Sequence, residues 1–159
     1  MNASRRTLVF GFGNPGRGDD GLGPALAAAV AELGLAGVDT DADYQLSVED
    51  AATASRRDRV VFVDAAAQGP APFALRRIEP GSARPTFSSH HVSPEGVLAL
   101  ARELFDAAPE AWLLAIRGYD FDEFREGLSD GARANLAAAI ATLHTQLTTG
   151  EMACETEST

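Results

Sequence analysis

Apolar runs and helical periodicities alternate along the chain. Thr7-Leu8-Val9-Phe10 runs into Gly11-Phe12-Gly13, a short apolar stretch that stops at glycines and reads as a strand buried on both faces. From Asp20 the apolar positions recur at helical spacing, at Leu22, Leu26, Val30 and Leu33, and the glycines at 34 and 37 end the helix. Residues 38–46 predict a second strand despite three aspartates. Ser47 followed by Asp50 reads as a helix cap ahead of residues 51–57. Residues 59–64 are strongly β-branched and end at the carboxylate of Asp64, and the loop at Gln68-Gly69-Pro70 follows. Residues 73–79 alternate as an edge strand does, and residues 80–92 predict an irregular loop ending at His90 and His91. Ser93-Pro94-Glu95 opens a helix through residue 105, residues 112–116 form another buried strand, and Ser129 opens a last helix through Leu143.

Strands that alternate with helices predict a three-layer α/β/α sandwich, with a mostly parallel sheet and one antiparallel edge strand, of the phosphorylase/hydrolase-like kind. The chain of 159 residues, 45% of them hydrophobic, suits a single domain over residues 1–149, followed by a loose acidic tail over residues 150–159. No apolar run approaches the roughly 18 residues of a membrane span, and residues 1–6 lack the apolar stretch of a signal peptide. A cytoplasmic monomer is expected.

Composition removes several chemistries. Cys154 is the single cysteine, which excludes disulfide frameworks and all-thiolate zinc sites. All 13 basic residues are arginine, so the chain supplies neither a Schiff-base lysine nor the lysine of a phosphate-binding P-loop. A net charge of -10 disfavours nucleic acid and acidic membranes as partners.

In an open α/β sheet the site lies outside the carboxyl ends of the parallel strands. The polar residues expected there are Asn14, Arg17, Asp19 and Asp20 after the first strand, Gln45 after the second and Asp64 after the third. His90 and His91 follow the irregular loop, and Arg117 follows the last strand. Carboxylates and an imidazole together make a common ligand set for a first-row divalent metal. Asp19 can equally be the cap of the first helix. His144 falls in the apolar periodicity of the last helix and reads as structural, and Cys154 as a spectator. Gly11-x-Gly13-x-x-Gly16 matches the dinucleotide fingerprint, but a pyrophosphate there would face Asp19 and Asp20. Gly127-x-Ser129-x-Gly131 matches the nucleophile elbow yet follows no strand, so Ser129 reads as a helix cap.

Gly11-Phe12-Gly13-Asn14 followed by Arg17-Gly18-Asp19-Asp20-Gly21-x-Gly23 closely resembles the signature of the hydrogenase maturation proteases. Val61-Phe62-Val63-Asp64-Ala65 is similar to that family's second acidic strand end, and Ser89-His90-His91-Val92-Ser93-Pro94 to its histidine loop. The resemblance covers nearly the whole chain. It implies an endopeptidase, classed with the aspartic type, that removes a short carboxyl-terminal extension from the nickel-loaded precursor of a nickel-iron hydrogenase large subunit. By motif, the family's nickel-binding acid, aspartate and histidine fall on Asp20, Asp64 and His90, with His91 as the alternative ligand or a donor to it. The nickel is expected to arrive with the precursor and not as a permanent cofactor. Asp20 and Asp64 are the candidate catalytic residues, and Asn14, Arg17, Gln45 and His91 are expected to meet substrate. Either the metal serves as a maturation check that positions the scissile bond, or it or an aspartate activates the attacking water.

Three other readings compete. Phe12-Gly13-Asn14-Pro15-Gly16 also resembles the start of peptidyl-tRNA hydrolases, but their following histidine-asparagine element is absent and the charge disfavours tRNA. A dinucleotide-dependent oxidoreductase is the second. A non-catalytic metal-dependent binding module, using the same three ligands, is the third.

Overall fold

The computed structural model describes residues 5–81 and 92–156. Among these residues the order is β1 (Thr7–Phe12), a 3-10 helix (Pro15–Gly21), α1 (Leu22–Leu33), β2 (Val38–Asp43), α2 (Asp50–Ser55), β3 (Arg59–Ala66) and β4 (Phe73–Ile78). There follow α3 (Pro94–Phe105), β5 (Glu110–Arg117), α4 (Asp130–Thr149) and β6 (Glu155–Thr156). The strands form one sheet in the order β2-β1-β3-β5-β4-β6. Strands β2, β1, β3 and β5 are parallel, β4 runs antiparallel to β5, and β6 antiparallel to β4. The architecture is the expected α/β/α sandwich.

Alternation along the central strands feeds two cores. Val9, Val61, Val63, Trp112, Leu114 and Ile116 pack with Leu22, Leu26 and Val30 of α1 and Ala139 and Leu143 of α4. Leu8, Phe10, Val60 and Phe62 face the other way, against Ala51 and Ala54 of α2 and Val97, Leu98 and Ala101 of α3. Burial on both faces is why these strands read as continuous apolar runs. One close approach fixes where α1 begins. A Cβ at Gly11 would lie 2.0 Å from the carbonyl oxygen of Gly23, and a Cβ at Gly23 would lie 2.5 Å from that of Val63 and 2.6 Å from that of Phe12. Only glycines at both positions let the start of α1 rest on the carboxyl ends of β1 and β3.

At the opposite end of the strands Glu110 gathers three side-chain partners. Its carboxylate accepts from Arg59 Nε at 2.6 Å, Trp112 Nε1 at 2.8 Å and Arg5 Nη1 at 2.9 Å. Partial burial works to raise its pKa, but these donors and the Arg59 charge outweigh it and hold the group at about 2. Buried Arg59 also donates to the carbonyl of Gly150, the left-handed residue that ends α4.

Several boundaries depart from the sequence reading. The segment from Asp20 does not begin α1, because the 3-10 helix intervenes and α1 starts at Leu22. Strand β2 stops at Asp43 and leaves Tyr44 and Gln45 in a turn. Helix α4 continues past Leu143 to Thr149, where Gly150 supplies the terminating positive φ. His144 is exposed on α4 and not part of an apolar face. Strand β4 is not the edge, since Glu155 and Thr156, expected in a loose tail, pair with Leu75 and Ala74. Among the described residues no helix is long and apolar enough to cross a membrane.

Candidate active site

The last residue pair between β1 and β3 is Gly11 with Val63, so Asp64 lies just beyond the reach of β1 while β5 still flanks it through Ala115. The 3-10 helix crosses this gap and brings Asp20 to it. Asp20 is half-buried, and its Oδ2 accepts the backbone N–H of Asn14 at 2.7 Å. The Asn14 side chain caps the same helix, its Oδ1 accepting from Gly16 N at 2.9 Å. Asp64 is also half-buried, with Oδ1 accepting from Ala65 N at 2.8 Å. Burial is the main force that pushes the Asp64 carboxyl up to about 7, and the neighbouring charge of Asp20 adds to it against the Ala65 hydrogen bond. Two carboxyl groups from different strand ends therefore share one site, and one of them exchanges its proton near neutrality.

The other expected residues divide. Arg17 is exposed at the kink of the 3-10 helix, and Gln45 is exposed in the turn after β2. That turn is tied to the glycine loop, because Gly13 N–H donates to the Asp43 carbonyl at 3.0 Å. Arg117 is held by the fold, its Nη1 donating to the Gly69 carbonyl at 2.7 Å and its guanidinium lying 5.1 Å from the Tyr119 ring centre. His90 and His91 lie outside the described residues. Among the described residues no group of three histidine, cysteine, aspartate or glutamate side chains is placed to hold a metal ion. Asp20 and Asp64 are the described members of the expected set. Two carboxylates on one site suit a divalent cation, whose charge would be neutralised by both.

Asp19 does not cap α1, whose start at Gly21 receives no side-chain bond. It is fully buried and turned toward the far end of the chain. Its Oδ1 accepts from Ser129 N at 2.7 Å, and its Oδ2 from Tyr119 N at 2.7 Å, Asp120 N at 3.0 Å and the Ser129 hydroxyl at 2.7 Å. Burial alone would raise its pKa, but the bonds from Ser129, Tyr119 and Asp120 prevail and hold the carboxyl below its ordinary range. Ser129 in turn caps α4, accepting from Ala132 N at 3.2 Å, so its hydroxyl is a cap and not a nucleophile at an elbow. The dinucleotide fingerprint fails on the same geometry. No α-helix starts at Gly16, and the carboxylate of Asp20 already takes the Asn14 amide that a phosphate cradle would use.

No protein-family model matches the chain, and no curated protein matches it. Its fold, however, is shared with solved structures of hydrogenase maturation enzymes. The hydrogenase maturating endopeptidase HybD of E. coli superposes with a TM-score of 0.70 at 18% identity, covering 96% of this chain and 98% of that one. The NiFe hydrogenase maturation protease HycI of Thermococcus kodakarensis KOD1 gives a TM-score of 0.70 at 21% identity, over 91% and 93% of the two chains. The hydrogenase 2 maturation peptidase of Thaumarchaeota archaeon SCGC_AB-539-E09 gives 0.64 at 22% identity, over 90% and 98%. At these identities the likeness establishes the fold.

Proposed function

We propose that this chain is an endopeptidase that removes a short carboxyl-terminal extension from the nickel-loaded precursor of a nickel-iron hydrogenase large subunit. The observation that carries the proposal is the juxtaposition of Asp20 and Asp64 at the carboxyl ends of β1 and β3, on a fold shared with solved maturation endopeptidases. Among the described residues, the serine and the cysteine that sequence motifs single out are not placed as nucleophiles. Ser129 is committed to a helix cap, and Cys154 is exposed in the segment after α4.

In this reading the nickel is part of the substrate. Asp20, Asp64 and His90 contact the ion carried by the precursor, with His91 as the alternative to His90, and cleavage waits on the metal because the scissile bond is positioned through it. Asp64, or the ion itself, is proposed to activate the attacking water, and an aspartate of the pair to return a proton to the leaving amine. Asp20, steadied by the Asn14 amide, supplies the fixed charge beside it. Asn14, Arg17, Gln45 and His91 are the proposed contacts to the peptide. The protein is proposed to act in the cytoplasm as a monomer. A tRNA substrate is disfavoured by the charge of -10, and a dinucleotide by the occupied glycine loop.

The test is incubation with nickel-loaded and nickel-free precursor, following the carboxyl terminus of each by intact mass. Loss of a short terminal peptide from the loaded precursor alone is the expected result. Cleavage of both would remove nickel from recognition, and cleavage of neither would overturn the proposal.

A further inference from the structure

The connection between β5 and α4 is fastened to the 3-10 helix from both directions. Besides the four bonds that Asp19 accepts, its own N–H donates to the Asp120 carbonyl at 2.7 Å, and Gly18 N–H donates to the Arg125 carbonyl at 2.7 Å. The fit is close, since a Cβ on Gly118 would lie 2.8 Å from Asp19 Cβ. Consecutive side chains of a 3-10 turn point about 120° apart. A residue pinned on one side of such a turn therefore sets the bearing of its neighbour, and the neighbour of Asp19 is Asp20. We propose that Asp19 is a positioning residue: by holding three backbone N–H groups and one hydroxyl of residues 119–129, it clamps the turn so that Asp20 keeps its alignment with Asp64. The inference rests on the function proposed above for its kinetic consequence, but not for its structural one.

The chemistry of the clamp requires a carboxylate. Every partner of the Asp19 carboxylate donates to it, on both oxygens. An asparagine has the same shape but must turn its NH2 toward one side, where it meets the Ser129 N–H or the two N–H groups of Tyr119 and Asp120. A donor then faces a donor in a buried place, and at least one backbone N–H is orphaned. Glutamate adds a methylene at a position that is already fully buried.

The test compares Asp19→Asn with Glu110→Gln, which weakens the fold from the opposite end of the sheet and serves as a control of matched stability. The direct reporter is hydrogen exchange of the Asn14 amide, which donates to the Asp20 carboxylate. Asp19→Asn is expected to speed that exchange by about tenfold or more beyond the change in global stability, whereas Glu110→Gln moves it only with the global change. On nickel-loaded precursor, Asp19→Asn is expected to lower kcat by about 100-fold with KM changed only severalfold, the signature of misplacement and not of lost binding. Asn14 exchange and kcat indistinguishable from Glu110→Gln at equal stability would overturn the inference. If the wild-type chain cleaves no precursor, the functional reading fails and the exchange measurement still decides this one. Should Asp19→Asn not fold, Ser129→Ala removes the hydroxyl donor alone and is expected to accelerate Asn14 exchange in the same direction by a smaller factor. No local acceleration there would count against the clamp.

Discussion

Asp20 and Asp64 arrive at one site by different routes, one on a 3-10 turn steadied by the Asn14 amide, the other on a strand that outruns its neighbour. Neither oxygen pair is fully exposed, and the charge on Asp20 helps raise the proton affinity of Asp64. The backbone packing of Gly11 against Gly23 seats the start of α1 directly behind this pair.

Asp64→Asn is expected to abolish processing while leaving the fold intact. Its effect on stability has a definite sign. The folded-state pKa of about 7 lies above the ordinary 3.8, so the folded protein holds this proton more tightly than the unfolded chain does. The associated stability is present in full below about pH 4 and is lost as pH rises through 7. Asparagine carries no such loss, so the variant should gain on the wild type across that window, with a ceiling of about 4 kcal/mol above pH 8. Urea unfolding at pH 5 and pH 8 checks it. An equal difference at both pH values would contradict the assignment.

Glu110→Gln should behave in the opposite way. The carboxyl is held at about 2 against an ordinary 4.5, so its contribution is present above pH 4.5 and disappears as pH falls toward 2. At pH 7 the substitution is expected to cost about 1–3 kcal/mol, through weakened bonds from Arg59, Trp112 and Arg5. The two proteins should converge in stability only as pH falls to about 2 in acid unfolding curves.

Gly23→Ala sets two effects against each other. Helix propensity favours alanine by about 1 kcal/mol in α1. The new methyl group, however, would meet backbone oxygens of Phe12 and Val63 at 2.6 and 2.5 Å, and neither strand can retreat. Overpacking of this kind costs about 1–3 kcal/mol or more, so net destabilisation and a displaced start of α1 are expected in thermal unfolding.

Ser129→Ala removes the cap of α4 and one donor to Asp19 together. A loss of about 1–2 kcal/mol is expected, measured by chemical unfolding. A loss within 0.5 kcal/mol of zero, about the level of an ordinary surface change, would show that water replaces both bonds.

The sandwich and the Asp64 strand were legible because residues 59–66 and 112–116 are buried on both faces, which imposes apolar runs that no helix or loop imitates over that length. Asp20 was legible as a candidate from its place after the first strand and from the signature around it. The task of Asp19 was not. Its partner Ser129 is 110 positions away, and a buried aspartate that satisfies distant amides looks, in sequence, like any helix cap. The 3-10 turn was hidden for a related reason, since its bonds to Asp120 and Arg125 are made only once the far connection has docked. Strand β6 has two residues, too few for any alternation to declare itself. The end of α4 was signalled by Gly150, although the apolar stripe fades before it.

Strand β2 closes one margin of the sheet with Asp39, Asp41 and Asp43, all exposed, and on the other margin β6 covers only Ala74 and Leu75 of β4. A second molecule seeking to extend the sheet at β2 would have to bring its own row of carboxylates beside this one, or bury a like-charged seam. That union is self-limiting, so the molecule guards its open hydrogen-bonding edge with charge instead of with a covering element.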